Sequence, residues 1–245
     1  MSDPPLTTNG WLRWDLSRRL LAELDDVESV LEIGAGGGAL GVRLARRYRY
    51  VGIELDDHSF GVAERRFARA GLGSILHGDL TALPDGALFD LVCAFEVLEH
   101  FEDDAAALRS WLAALRSRGW LLLSVPAYAD RFGAWDTKAG HYRRYEREQL
   151  GSTLRSAGFE PVAIQAFGYP LGNVLEVARN AVARLGRQRT DSFDQRTAAS
   201  GRLLQPPERL GVMTRAVSLP GRLLQRPFVA TERGTGFVAL AQRTT

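Results

Sequence analysis

The stretch VESVLEIGAGGGALG, residues 27–41, runs from a short, partly β-branched apolar segment into a glycine cluster, and the apolar spacing then turns helical over 39–48. That is a strand–turn–helix unit. Glycines at such a turn let the backbone approach a ligand, and the helix N-terminus behind them favours negative charge. The same alternation continues downstream. YVGIEL (50–55) reads as a second strand, 57–70 as a helix, and SILHGDL (74–80) as a third strand. FDLVCAFEVLEH (89–100) is a strand running into a loop and helix, 103–117 is helical, and WLLLSVP (120–126) is a fifth strand closed by Pro126. An irregular stretch (127–145) leads to a helix over 146–157 that ends at Gly158. A sixth strand follows, FEPVAIQAFGY (159–169), and a seventh, GFVALAQ (236–242). Upstream, Trp11, Leu12, Leu16, Leu20, Leu21 and Leu24 sit at helical spacing, a lead-in helix within residues 1–25. Strands alternating with helices predict an α/β fold whose mainly parallel sheet carries helices on both faces. Residues 26–169 and 234–245 then form the principal domain, and 170–233 is an insertion between strands 6 and 7.

The chain has 245 residues, 45% hydrophobic and 24% charged, which excludes extensive disorder. Thirty arginines and one lysine, Lys138, balance 29 acids to a net charge of +2, so nucleic acid is not an expected partner. The single cysteine, Cys93, excludes an internal disulfide and a cysteine zinc cluster. The start, MSDPPLTTNG, has neither the basic nor the apolar region of a signal peptide, and no apolar run approaches the roughly 20 residues that span a bilayer. The expected location is the cytoplasm.

The charge is unevenly spread. Residues 171–233 hold eleven arginines against Glu176, Asp191, Asp194, Glu208 and Glu232, a segment charge of +6 that leaves −4 for the rest. Leu171, Val174, Leu175, Ala178, Ala181, Val182 and Leu185 keep an apolar face at helical spacing, with Arg179 and Arg184 off it. Basic amphipathic segments lie on anionic membrane surfaces or grip polyanions. The expectation is an Arg-rich helical cap over the substrate pocket with a solvated arginine face, docking peripherally at the inner membrane face. That would suit a lipid-linked glycan acceptor.

Three carboxylates follow the glycine loop. Glu32 lies two residues before Gly34, where it would crowd a pyrophosphate but suit a cationic, zwitterionic ligand. Glu54 ends the second strand, where a carboxylate can accept both hydroxyls of a ribose, and Asp79 ends the third. All three fall on the carboxyl edge of the sheet, where open α/β sheets bind ligands. Taken alone, the glycines also fit an NAD(P)-dependent oxidoreductase, and a non-catalytic membrane- or nucleic-acid-binding module could retain the fold.

LEIGAGGGALG, GIEL, HGDL, FDLVCAFEVLEHFEDD, WLLLSVP and HYRRYEREQLGSTLRSAGF, in that order, resemble the class I S-adenosylmethionine-dependent methyltransferases, over roughly 27–169 plus the final strand. The resemblance implies a Rossmann-like seven-stranded sheet with an antiparallel last strand and S-adenosyl-L-methionine as cofactor. It implies a site of Glu32, Gly34, Ala35, Gly36, Gly38, Glu54, Leu55, Gly78, Asp79, Leu80 and Phe95, with Glu54 on the ribose and Asp79 on the adenine. A nicotinamide enzyme would need no acid at Glu32.

Methyl transfer from a sulfonium requires an aligned nucleophile and, for a hydroxyl, removal of its proton. Glu96, Glu99 and His100 would share a face at i, i+3 and i+4 if EVLEH starts a helix, and His141 is a further candidate. The segment resembles that of the ubiquinone-pathway O-methyltransferases and of enzymes that methylate the terminal ribose of small RNAs, which implies a divalent cation on Glu96, Glu99, His100 and His141. In related methyltransferases without metal, the acid shapes the cofactor pocket and the histidine faces the substrate. His100, Glu96 and His141 are therefore the catalytic candidates either way, acting on a small-molecule, glycan or lipid-linked acceptor. The aromatics of 128–145 with Arg131, Arg143 and Arg144 form a candidate substrate wall.

Overall fold

Apolar strands separated by helices bury both sheet faces, and the computed structural model, which describes residues 3–185 and 211–244, shows that arrangement. The strands are β1 (Ser29–Ile33), β2 (Arg49–Glu54), β3 (Ser74–His77), β4 (Phe89–Phe95), β5 (Leu115–Pro126), β6 (Phe159–Phe167) and β7 (Gly236–Arg243). They form one sheet in the order β3-β2-β1-β4-β5-β7-β6. β1 to β5 pair in parallel, while β7 runs antiparallel between β5 and β6. The seven-stranded sheet with its antiparallel last strand is the one predicted.

One face packs Leu31, Val92, Leu121 and Leu123 against Leu108 and Trp111 of α4 (Asp104–Ala113) and Leu150 and Leu154 of α6 (Arg147–Ser156). The other packs Val30, Leu91, Leu122 and Leu240 against α1 (Thr8–Leu21), α2 (Ala39–Ala45) and α3 (Asp57–Ala70). Burial on both faces explains why the strands read as continuous apolar runs. The lead-in helix is integral to this packing: Leu12, Leu16 and Leu20 are almost wholly buried.

Two boundaries differ from expectation. The helix expected to 117 stops at Ala113, and β5 starts early, at Leu115, which pairs with Phe89; the register then shifts before pairing with β4 resumes at Trp120. Within 127–145 a short helix, α5 (Ala134–Ala139), forms where the Asp136 carboxylate accepts the Gly133 N–H at 2.8 Å.

The insertion contributes α7 (Leu171–Leu185) and α8 (Gly211–Leu224); its residues 186–210 lie outside the described residues. α8 lies on α1, tied by Gln225, whose amide donates to the Leu12 carbonyl and accepts from the Gly168 N–H, each at 3.0 Å. α7 lies on α5, where Asn180 accepts the Trp135 N–H at 3.0 Å. On α7 the expected polarity is partly reversed. Glu176 is buried and Arg179 lies over the Trp135 ring at 4.8 Å, while Val174, Val177 and Val182 face outward. Arg184 is exposed, as expected.

Candidate active site

The carboxyl ends of β1, β2 and β4 converge on the glycine loop. Gly34, Gly36 and Gly38 all have positive φ (67°, 55° and 72°), a region that favours glycine. Their neighbourhoods differ. A Cβ on Gly34 would meet Val97 at 2.7 Å and one on Gly38 would meet Phe67 at 2.9 Å, but one on Gly36 would enter open space. The Glu54 carboxylate spans this loop and the next, accepting the Gly36 N–H at 2.6 Å and the Asp56 N–H at 2.8 Å. Burial raises its pKa. Ala35 is pinned to β2 through its N–H to the Ile53 carbonyl at 3.0 Å, and Gly78 to Glu54 through its N–H at 2.9 Å. Leu55, next after Glu54, is 72% exposed.

Glu32 lies in the interior beneath. Its carboxyl accepts the Tyr50 hydroxyl at 2.6 Å, and burial pushes its pKa up to about 8. Asp79 is exposed and caps the turn Leu80–Ala82, taking the Thr81 N–H at 2.9 Å and hydroxyl at 2.6 Å, and those bonds hold its pKa below the usual value. Phe95 is buried, with the Arg13 guanidinium 5.7 Å from its ring centre.

EVLEH does not start an α-helix. Glu96 has φ 58°, and a single 3-10 turn follows over Leu98–His100. The cause is tertiary: the Glu96 N–H reaches the Ser124 carbonyl at 2.9 Å, and the Ser124 hydroxyl donates to the Glu96 carboxylate at 2.8 Å. Arg13 of α1 completes this group, 3.4 Å from the same oxygen. The expected shared face of Glu96 with Glu99 and His100 is thereby lost.

Glu99, His100 and His141 do come together, with one ligand atom from each lying within 4.8 Å of the others. Glu99 is fully buried, and neither carboxyl oxygen has a hydrogen-bond partner among the described residues. Burial, reinforced by the nearby Glu96, raises its pKa well above the usual range. The His100 Nδ1 lies 3.1 Å from the Gly140 carbonyl, so Nδ1 carries the proton in that bond. Burial and the neighbouring His141 push its pKa down to about 4.

His141 is oriented by Asp136, 2.9 Å from its Nδ1, which leaves Nε2 directed toward Glu99 at 3.8 Å. Burial opposes ionisation of Asp136, but His141 and Arg144 together hold its pKa far below the usual range. Arg144 is fully buried, donating to both Asp136 oxygens at 2.9 and 2.8 Å and to Glu176 of α7. Arg131 reaches the other Glu176 oxygen, and Arg143 pairs with Asp104 at 3.1 Å. The arginines of the expected substrate wall are therefore committed to internal partners, and Tyr145 is buried with its hydroxyl on Asp104 at 2.9 Å. Only Phe132 and Tyr142 of that set remain substantially exposed.

Four residues of this site escape a reading of motifs: Arg13, Tyr50, Asp136 and Glu176. Asp136, five residues before His141, carried the one local signal, a carboxylate within reach of an imidazole.

Residues 12–164 match the sequence profile of a family described as "Methyltransferase domain". The chain belongs to that family. A probable S-adenosylmethionine-dependent methyltransferase of Mycolicibacterium smegmatis is 31% identical over 159 residues, 62% of this chain and 60% of the relative. A ubiquinone biosynthesis O-methyltransferase of Leptothrix cholodnii is 29% identical over 126 residues, 49% of this chain and 53% of that protein. The chain thus spans less than two thirds of either relative. Among solved structures, magnesium protoporphyrin IX methyltransferase from Synechocystis, with bound SAH, superposes with a TM-score of 0.56 at 14% identity, covering 95% of this chain and 81% of that one. At that identity the likeness is one of fold. No helix among the described residues is long and apolar enough to cross a membrane.

Proposed function

We propose that this methyltransferase-family chain transfers a methyl group from S-adenosyl-L-methionine to an oxygen of a small, glycan-like or lipid-linked acceptor. The observation that carries the cofactor reading is Glu54, whose carboxylate holds the glycine loop at Gly36 while the space above Gly36 stays open. Those residues fit the group. Glu54 would take the ribose hydroxyls, Leu55 and the Asp79 turn would border the adenine, and Arg13, beside Glu96 and Phe95, would meet the carboxylate of the methionine. When bound, the sulfonium supplies the electrophilic methyl.

The chain's own part is to exclude water, align the acceptor oxygen and take its proton. His141 suits proton removal, because Asp136 on its Nδ1 fixes the tautomer that leaves Nε2 as the acceptor. His100, held neutral by burial, offers its Nε2 as a hydrogen-bond acceptor beside it. Phe132 and Tyr142 give the acceptor an aromatic border. A nicotinamide oxidoreductase fits less well, since residues 12–164 match a methyltransferase domain.

A second reading is favoured by one observation, the two unpartnered oxygens of buried Glu99 facing two histidines. Glu99, His100 and His141 would hold a divalent cation, whose chemistry would be to polarise the acceptor oxygen. Glu96, committed to Ser124 and Arg13, lies outside this set.

The test is to incubate the chain with methyl-labelled cofactor and fractionated extracts of the native organism. Label recovered as a base-stable methyl ether supports the reading. Label on nitrogen or carbon would overturn it, and an ester that releases methanol in base would keep oxygen as the acceptor but remove the need for a base. Addition of a chelator to the same assay decides between the metal and metal-free forms.

A further inference from the structure

Two amphipathic helices with their apolar sides turned outward form the least explained surface of the molecule. At 3.6 residues per turn, α8 divides into three sectors. Ser218, Gly221 and Gln225 face α1 and are buried. Arg215, Arg222 and Arg226 form the next row, with Arg215 and Arg222 over the Trp11 ring at 5.8 and 5.2 Å and Arg226 3.7 Å from Asp15. Beyond that row lies an aliphatic sector of Met213, Val217, Leu223 and Leu224, each more than half exposed. α7 also turns aliphatic residues outward, Val174, Val177 and Val182, and Leu171, on its first turn, lies close against Gly221 of α8.

Among the described residues, the charge beside α8 is one-sided. Arg18 and Arg19 of α1 join the α8 arginines around one buried carboxylate, Asp15. From 211 to 231 the chain has no acid at all. The crowding is visible in Arg222, whose pKa is lowered by burial and by its arginine neighbours. Exposed aliphatic area rimmed by unbalanced guanidiniums is complementary to a surface that is apolar inside and anionic at its rim. No aromatic side chain stands among the exposed apolar residues of α7 and α8. Protein interfaces are anchored chiefly by aromatics, whereas partition into acyl chains needs only apolar area with cations at headgroup level.

We infer that the outward faces of α7 and α8, with the arginine row they share with α1, dock the enzyme on an anionic lipid bilayer. This deepens the reading of a lipid-linked acceptor, but the contact rests on the helices and is read without turnover.

The test is flotation of the full chain with vesicles of phosphatidylcholine alone or mixed in equal parts with phosphatidylglycerol. The chain should float with the mixed vesicles only, and Val217→Glu with Leu223→Glu should lower the bound fraction roughly tenfold, with melting temperature and S-adenosylhomocysteine binding unchanged. Arg18→Gln with Arg19→Gln should weaken flotation and shift its loss to lower salt. Absence of flotation, or flotation that survives both variants, overturns the proposal. So does a dimer in light scattering that Val217→Glu dissociates, since a second copy would then cover the face. S-adenosylhomocysteine calorimetry on the same samples reports on the methyltransferase reading separately.

Discussion

Glu176, carried by α7 in the insertion, pairs with the fully buried guanidinium of Arg144, which in turn grips both oxygens of Asp136. His141 completes the chain at 2.9 Å. The insertion is thus joined to the imidazole of the candidate base by three charged side chains. Removing one partner of a buried pair costs about 3–5 kcal/mol, because the other charge is left uncompensated. Because Arg144 keeps both Asp136 oxygens, Glu176→Gln should lower unfolding stability by less than that, about 1–3 kcal/mol, in urea titrations. Asp136→Asn, which also removes the orienting acceptor of His141, should reduce kcat more than Glu176→Gln does. Equal kcat losses would detach Asp136 from the chemistry.

The glycine loop separates binding from strain. A methyl on Gly36 enters open space, whereas one on Gly38 strikes Phe67. Gly36→Ala should cost about 1–2 kcal/mol of stability from its positive φ and weaken S-adenosylhomocysteine binding at least tenfold. Gly38→Ala should destabilise more. Calorimetry and melting curves on both variants check the ordering.

Glu32 gives a pH dependence with a defined sign. Its carboxyl titrates near pH 8 in the folded chain and near 4.5 unfolded. Its contribution is therefore full below pH 4.5 and lost as pH rises through 8. Between those values the folded state holds one proton more, a slope of about 1.4 kcal/mol per pH unit. Glu32→Gln should flatten the fall in urea midpoint between pH 6 and 8. An unchanged slope would mean that Glu32 is ionised in the fold.

His100 carries the opposite sign. With its pKa pushed from 6.5 to about 4, its contribution is present above pH 6.5 and fades as pH falls toward 4. Imidazole resonances followed by NMR should show His100 neutral at pH 6. A midpoint near 6.5 would contradict the buried placement.

The sheet was legible because its strands are apolar runs of ordinary length between helical periods, and because Glu54 and the glycines sit at strand ends where topology alone gathers them. The turn at Glu96 was not, since Ser124, 28 residues away, sets that backbone. Nor was the orientation of α7: its periodicity located an apolar face, but the Arg144–Glu176 pair, 32 residues apart in sequence, turns Glu176 inward. The arginines of 131–144 read as substrate contacts because Asp104 of α4 and Glu176 of α7 lie far from them in sequence; only Asp136, eight residues before Arg144, is a local partner.

In the proposed reaction Glu54 and the open loop at Gly36 hold S-adenosyl-L-methionine. Titration calorimetry with S-adenosylhomocysteine measures this binding most directly. The unaltered chain should bind one-to-one, Glu54→Ala should not bind, and NAD should give no heat. Binding of NAD, or S-adenosylhomocysteine binding that survives Glu54→Ala, would contradict that assignment.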